Sequence, residues 1–508
     1  MKLYDYQLEA IETTKYNNKG ILCLPTGTGK TMIQANILSD DILSHQDTFR
    51  MYVVNVPRII LSYQMLKEYY KHMTSLGIEC RYYFVHSGSS IDISELESIR
   101  SQANLDAFKI PFNDIYSSTN IEDLNSIIGN SIKLKTPLIL FSTYNSAEKI
   151  EQARVNTNTD ISIIINDEAH YLVQERFHPI LDIIPSNKCY FFTATIRETS
   201  SINGRGMNNF NTYGDVIYNL LPRDAINRGK MIRPRIHTIR TEGVRTSEEY
   251  DNSFNHIILN SFKQHKQHLN KNHINLNPKI LVSTRGANDI KNFLLSKQYI
   301  ELRNIGVDIF AISSNQEVGN FVNGEKVRRE NFLKILNDYG KDINREMIIL
   351  HYDILTEGID VPGITTIMPL RELNKSRFIQ TYGRCARVDT RDRILIDGGQ
   401  ISPNDLDSMV KPYAYVILPY LTQTNEDDSD SMRSIIYELR EFGFNPKEDV
   451  VGEFSARGVS EEEDLDTFNK IDRRNGSTGD IITKVISEFE LERICSLSFD
   501  DYFSYAVS

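Results

Sequence analysis

Short, continuously apolar runs recur along the chain at residues 20–24, 51–56, 137–142, 161–166, 189–193, 279–283, 307–312, 347–351, 365–369 and 413–419. Runs this short, rich in Ile, Val, Leu and Phe and closed by turn residues, read as strands buried on both faces. Helix-like segments alternate with them, which predicts an α/β fold with parallel sheets. A polar stretch near 241–277 separates two such sets, so two lobes are expected. Inside the first, residues 89–133 are polar and weakly periodic and read as an insertion. Beyond 421 the alternation fades. Residues 424–430 and 460–466 are acidic runs with the character of solvated surface, and 431–442 has the spacing of an amphipathic helix that packs. The expected division is a first lobe over 1–222, a connector and the start of the second lobe over 223–278, the rest of that lobe over 279–421, and an acidic, mostly helical accessory region over 422–508.

The chain has 508 residues, enough for two or three domains. No apolar run approaches the roughly 18 residues that span a bilayer, and no signal-peptide pattern opens the chain. Its five cysteines are scattered without a CxxC or Cys/His cluster, which fits reduced thiols in an intracellular, soluble protein of cytoplasm or nucleoid, a viral origin included. A net charge of −11 argues against coating nucleic acid by a bulk positive field, though not against a local basic track.

The sharpest chemical signal is Leu24-Pro25-Thr26-Gly27-Thr28-Gly29-Lys30-Thr31, between the run at 20–24 and a helix-like stretch at 31–38. Gly27 and Gly29 let backbone N–H groups close round an anion, Lys30 offers a charge to β/γ-phosphates, and Thr31 a hydroxyl to Mg²⁺. Leu24 stands where the general pattern has a glycine. The second signal is Asp167-Glu168-Ala169-His170, at the end of the run at 161–166. Open α/β sheets bind ligands at strand C-termini, so Asp167 is placed for Mg²⁺ and Glu168 for polarising an attacking water.

Together these segments resemble the superfamily 2 helicases and translocases, whose two RecA-like parallel-sheet lobes form the fold expected here. The remaining motifs follow in order over roughly residues 3–420. Tyr6-Gln7 resembles the glutamine motif, in which Gln7 would read adenine; Tyr4 and Asp5 stand where the family often has a basic residue. Val56-Pro57-Arg58 with Gln64, and Phe141-Ser142-Thr143-Tyr144, resemble segments that touch the nucleic-acid backbone. Phe192-Thr193-Ala194-Thr195 resembles the strand end that couples the ATP site to the track, with His170 and Gln380 as further links. Leu281-Val282-Ser283-Thr284-Arg285 resembles the first motif of the second lobe. Thr356-Glu357-Gly358-Ile359-Asp360-Val361-Pro362 resembles the next, where Thr356 faces nucleic acid and Gly358 and Asp360 the nucleotide. Gln380-Thr381-Tyr382-Gly383-Arg384-Cys385-Ala386-Arg387 matches the last. The resemblance implies ATP and Mg²⁺ as cofactors and Arg384 with Arg387 as arginine fingers, whose fixed donor forks suit a developing γ-phosphate charge.

Tyr218 to Pro234, a helix with Ala225-Ile226, a Gly229 stop and a Pro-flanked strand, resembles the lobe connector of restriction-type motors and of phage branch-migration and excision-repair helicases. Leu24-Pro25 and His170 fit the same wing. DNA is therefore expected over RNA, with RNA unwinding as one alternative. A nucleotide-driven clamp, or motor subunit of a nuclease or repair assembly, is another, motivated by the acidic C-terminal region as a partner surface. The chain starts almost at Gln7, so no recognition or nuclease domain is expected before the motor. Glu448, Asp449 and Glu453 lack the strand context of a nuclease. Arg58, Lys67, Arg285, Lys375 and Arg377 are candidates for phosphate contacts. The 26 tyrosines, including Tyr69-Tyr70 and Tyr82-Tyr83, read mainly as packing.

Overall fold

The computed structural model describes residues 3–86, 115–183, 185–201, 203–241, 253–313, 319–352, 361–371, 373, 375–403, 405–421 and the short pieces 439, 442–444, 449–452 and 486–487. It divides into two compact units, Met1–Leu220 and Leu221–Ser508.

The first unit is built on an eight-stranded, all-parallel sheet in the order β4-β3-β5-β2-β6-β7-β1-β8. Its strands are β1 (Lys19–Cys23), β2 (Met51–Val56), β3 (Arg81–Val85), β4 (Ile115–Ser117), β5 (Leu138–Thr143), β6 (Ile161–Asn166), β7 (Lys188–Thr193) and β8 (Asp215–Asn219). β2, β5 and β6 are buried along their whole length, which explains their unbroken Val/Ile/Leu runs. Helices α1 (Asp5–Tyr16), α2 (Lys30–Ser44), α3 (Ile59–Ser75), α4 (Ile121–Leu134) and α5 (Ala147–Thr157) accompany the sheet.

Part of the stretch read as an insertion is integral to this unit. β4 pairs with β3, and Leu124, Ile127 and Ile128 of α4 enter the same core as Val53 and Leu140. Asn120 caps α4 by accepting from the Glu122 N–H at 2.8 Å, and the apolar stripe behind that cap decides its burial. Residues 87–114 lie outside the described residues. Tyr69, Tyr82 and Tyr83 are core residues, as the packing reading expects.

The second unit carries a larger, mixed sheet in the order β13-β12-β11-β14-β10-β15-β16-β9-β17, with β18 beside the end of β16. Its strands are β9 (Arg233–Thr241), β10 (Lys279–Ser283), β11 (Asp308–Ile312), β12 (Asn320–Val322), β13 (Glu325–Lys326), β14 (Met347–His351), β15 (Thr366–Pro369), β16 (Tyr413–Leu421), β17 (Val450–Gly452) and β18 (Ile486–Ser487). Only the β11–β12 and β12–β13 pairings among these are antiparallel. The helices are α6 (Pro222–Asn227), α7 (Phe254–Lys271), α8 (Ala287–Leu294), α9 (Lys297–Asn304), α10 (Arg329–Lys341), α11 (Lys375–Cys385) and α12 (Thr390–Asp397).

In the segment before β9, α6 ends as its sequence dictates. Gly229 adopts φ +67°, its N–H bonds Ile226 O at 2.9 Å, and the Lys230 N–H bonds Ala225 O at 2.8 Å. The polar stretch after β9 holds α7, whose Ile257, Ile258 and Phe262 join the core of the second unit. Of the C-terminal region, Leu439, Phe442 and Phe444 are buried, and Asp449 accepts from Arg233 at 3.0 Å. Asp449 is thus a structural ion-pair partner, while Glu448 and Glu453 lie outside the described residues.

Three histidines meet where α7 crosses β9. His237 Nδ1 lies 3.0 Å from His265 Nδ1, so one ring donates and the other accepts. His265 Nε2 pairs with Thr366 Oγ1 at 3.0 Å, and the His268 ring lies tilted against that of His237, centroids 4.6 Å apart. Arg235 on β9, Lys271 on α7 and Tyr413 and Tyr415 on β16 are the other ionisable groups around them. Burial pushes His237 down to about 3 and holds His265 and His268 below the usual imidazole range. Unfolded histidines titrate near 6.5, so below that pH the unfolded chain binds protons that the folded cluster refuses. The cluster's contribution to stability is therefore fully present above about pH 6.5 and lost progressively as pH falls toward 3. Denaturant unfolding at pH 7 and pH 5 checks this; His237→Phe should flatten the difference.

Candidate nucleotide site

The loop 24–29 runs from β1 to α2 between two left-handed glycines, Gly27 (φ +88°) and Gly29 (φ +82°). Gly29 is the N-cap of α2, and a Cβ there would sit 2.5 Å from Gln7 Nε2. Glycine is required on both counts. The unpaired N–H groups and positive dipole end of α2 thereby face the loop, the arrangement that holds an anion. Lys30 Nζ donates to Leu24 O at 3.2 Å, at the base of the loop. Thr26 Oγ1 is buried without a hydrogen-bond partner. The loop therefore has the cradle and the spare polar capacity that a triphosphate uses.

α1 braces this loop. The Tyr6 hydroxyl donates to Thr28 O at 2.7 Å and Gln7 Nε2 donates to the same oxygen at 3.2 Å, while Gln7 Oε1 accepts from the Tyr4 N–H at 3.0 Å. Gln7, expected at adenine, here has both ends of its amide engaged. Thr31 is the second residue of α2.

β7 lies between β6 and β1, so three strand ends converge. The Leu24 N–H bonds Thr193 O at 2.9 Å, and Asp167 leaves β6 with its N–H on Asn55 O at 2.9 Å. Asp167 is 7% exposed; Gln34 Nε2 donates to its Oδ1 at 2.8 Å and the Tyr144 hydroxyl donates to its carbonyl at 2.6 Å. Burial, reinforced by the neighbouring Glu168 charge, pushes the Asp167 carboxyl up to about 6, while Lys30 and Gln34 oppose the shift. Glu168 sits at φ +50°, ψ +47°, a sparsely populated region for a side-chain-bearing residue. That kink turns the chain sharply off the strand.

His170 links this turn to β7. Its Nδ1 lies 3.2 Å from Thr193 Oγ1 and 3.4 Å from Glu168 Oε2. Thr193 Oγ1 donates to Thr195 O at 2.8 Å, so the shared proton belongs to the imidazole. Burial pushes His170 down to about 4, which keeps it neutral. The expected coupling set His170, Thr193 and Thr195 is therefore one hydrogen-bonded chain.

Gln34 was not singled out from sequence, although a polar residue four positions after Lys30 on the buried face of α2 is a legible signal. Its Oε1 accepts from the Tyr69 hydroxyl at 3.4 Å, which fixes the amide for Asp167. Gln34→Leu removes a donor from a buried carboxylate. The expected result is a Mg²⁺ requirement for hydrolysis raised about tenfold or more, read from a Mg²⁺ titration at fixed nucleotide.

The register pairs Val56 with Thr143, so Pro57-Arg58 and Thr143-Tyr144 leave the sheet side by side. Arg58 is the N-cap of α3, and Gln64 lies within that helix. Tyr144 differs from the expectation of a strand contact. Its ring is 1% exposed and its hydroxyl is spent on Asp167, because the residue turns inward immediately after β5.

In the second unit, Thr284 is buried, with Oγ1 on His351 O at 3.1 Å. Arg285 forms a two-pronged ion pair with Asp289 at 3.0 Å. Gln380 and Arg384 lie on α11, and Arg387 follows it in a bridge to Met231. Thr356, Gly358 and Asp360 lie outside the described residues.

A family model described as "Type III restriction enzyme, res subunit" matches residues 1–198. No curated protein matches the chain. Among solved structures, the ATP-dependent Type ISP restriction-modification enzyme LlaBIII bound to DNA aligns with 90% of this chain and 32% of its own, at 19% identity and TM-score 0.63. A nuclease-deletion mutant of the Type ISP enzyme LlaGI with a DNA substrate mimic aligns over 87% and 29%, at 20% identity and TM-score 0.55. The chain thus spans about a third of the length of these enzymes. Among the described residues, no helix is long and apolar enough to cross a membrane. Residues 1–198 thus match the res-subunit model, and the chain shares the fold of these Type ISP enzymes, with two RecA-like α/β units.

Proposed function

We propose that the chain is an ATP-dependent DNA motor that translocates on or remodels DNA, with or without strand separation. The observation that carries this reading is the hydrogen-bonded chain from His170 through Thr193 to Thr195, with the Glu168 carboxylate 3.4 Å from His170 Nδ1, which places the carboxylate beside the end of the neighbouring strand. Lys30 and the N–H groups of 27–31 would hold the phosphates. Thr31 and Asp167 would hold Mg²⁺, which neutralises phosphate charge when bound. Glu168 accepts a proton from the attacking water. Arg384 and Arg387 complete the charge stabilisation when the lobes close, and release of that closure moves the backbone-contacting segments relative to one another. Pro57, Arg58 and Gln64 of the first unit, with Arg285 and Thr356 of the second, are the proposed backbone contacts, while Thr143 and Thr284, both buried with their hydroxyls hydrogen-bonded, support them from below. The acidic C-terminal region is a candidate partner surface. DNA is favoured over RNA by the res-subunit match and by the DNA-bound enzymes that share the fold. The test is ATP hydrolysis with DNA and matched RNA: greater stimulation by DNA supports the assignment, and equal stimulation by RNA moves it to RNA.

A further inference from the structure

Lys411 lies just before β16, outside every motif read in the sequence. It is 3% exposed, and its ammonium donates to three backbone carbonyls: Cys385 O at 2.6 Å, Ile364 O at 2.8 Å and Arg387 O at 2.9 Å. All three ammonium donors are used. Its backbone is fixed as well, because the buried carboxylate of Asp392 accepts from the Val410 N–H at 2.8 Å and the Lys411 N–H at 2.9 Å.

The three carbonyls tie two functional segments together. Cys385 is the last residue of α11, directly after Arg384, and Arg387 is the second arginine of the pair. Ile364 follows Val361-Pro362, the end of the segment expected to meet ribose and nucleic acid. From the other side, the Ile232 N–H bonds Ala386 O at 2.7 Å and the Tyr382 hydroxyl donates to Ile232 O at 3.2 Å. The backbone carrying the arginines is therefore clamped between the 231–232 segment and one buried cation.

A cation at a helix C-terminus is favourable. A fully buried ammonium beside Arg387 is otherwise costly, since it is desolvated and near a like charge. Burial pulls it down to about 8. A neutral polar residue would cap one carbonyl at lower cost, whereas the three-donor ammonium joins three that converge from two segments.

We propose that Lys411 is a positioning residue for the arginine pair, fixing Arg384 and Arg387 against the segment that ends at Ile364. This rests on the motor reading above. The test uses the full chain and saturating duplex DNA, comparing wild type, Lys411→Met, Lys411→Gln, Arg387→Ala, the Lys411→Met/Arg387→Ala double variant and Lys30→Ala. Steady-state ATPase, binding of a fluorescent ATP analogue and thermal unfolding are measured for each. Both Lys411 variants should lose about tenfold or more in kcat, with KM and analogue affinity within about threefold. The double variant should hydrolyse ATP within about twofold of Arg387→Ala alone, because residues acting as one unit are not additive. A further multiplicative loss in the double variant, an unaffected kcat in the single variants, or unfolding of both at the assay temperature overturns the proposal. If wild type hydrolyses ATP, Lys30→Ala does not, and Lys411→Met is unaffected, the positioning role alone falls. If wild type shows no DNA-stimulated hydrolysis, the motor reading falls and the positioning role with it.

Discussion

Glu168→Gln is expected to bind ATP and fail to hydrolyse it, with kcat lower by about 10²–10⁴-fold and nucleotide affinity little changed. The substitution keeps side-chain volume and the left-handed kink at φ +50° that turns the chain off β6. What it removes is the carboxylate proposed as proton acceptor. His170 stays neutral and remains anchored on Thr193 at 3.2 Å, so the link to β7 survives while the chemistry stops. Single-turnover hydrolysis beside nucleotide binding separates the two effects. The same variant discriminates a motor from a nucleotide-driven clamp. A clamp needs binding alone and would keep full biological activity in Glu168→Gln, whereas a motor would lose it.

The second large effect is expected at the arginine pair. Arg384→Ala or Arg387→Ala should lower kcat by about 10³-fold or more, within the range that arginine fingers supply to phosphoryl transfer. Arg384 is 7% exposed on α11, and Arg387 is held by its bridge to Met231. Lysine at either position should rescue poorly, because a point charge does not reproduce the guanidinium fork. A kcat loss with KM for ATP held within about threefold marks an interaction made in the transition state, and a loss confined to KM would not.

The strands buried on both faces were legible because burial leaves an unbroken apolar run. The expected 51–56, 161–166, 279–283 and 347–351 coincide with β2, β6, β10 and β14. The strands that sequence reading passed over break that rule for physical reasons. β3 is Arg-Tyr-Tyr-Phe-Val, whose tyrosines look amphipathic until packed. β8 lies at the sheet edge and is largely solvent-facing, so it carries no apolar run. β12 and β13 form a short antiparallel extension on the other sheet's edge. α4 and α7 were hidden by composition, since a helix that buries one stripe keeps a polar majority.

Around the loop of the first unit, residues whose chemistry dictates a pattern stand out in the sequence: the two glycines, Lys30 and the paired carboxylates. Their supports, and Lys411 of the second unit, do not. Gln34, Tyr6, Tyr144 and Lys411 act through hydrogen bonds to partners 19 to 133 positions away. No periodicity encodes such pairings, which exist only once the strand ends have met. Gln7 and Tyr144 show the converse: recognisable residue types whose polar atoms the fold directs to the backbone around the loop and the carboxylate turn.

ATP hydrolysis titrated with single-stranded, duplex, forked and four-way DNA beside matched RNAs, in wild type and Lys30→Ala, tests the motor assignment most directly. The account predicts hydrolysis that depends on Lys30, rises with DNA more than with RNA, and weakens as salt screens the phosphate contacts. Hydrolysis unmoved by every DNA and RNA, or stimulated equally in Lys30→Ala, would contradict it.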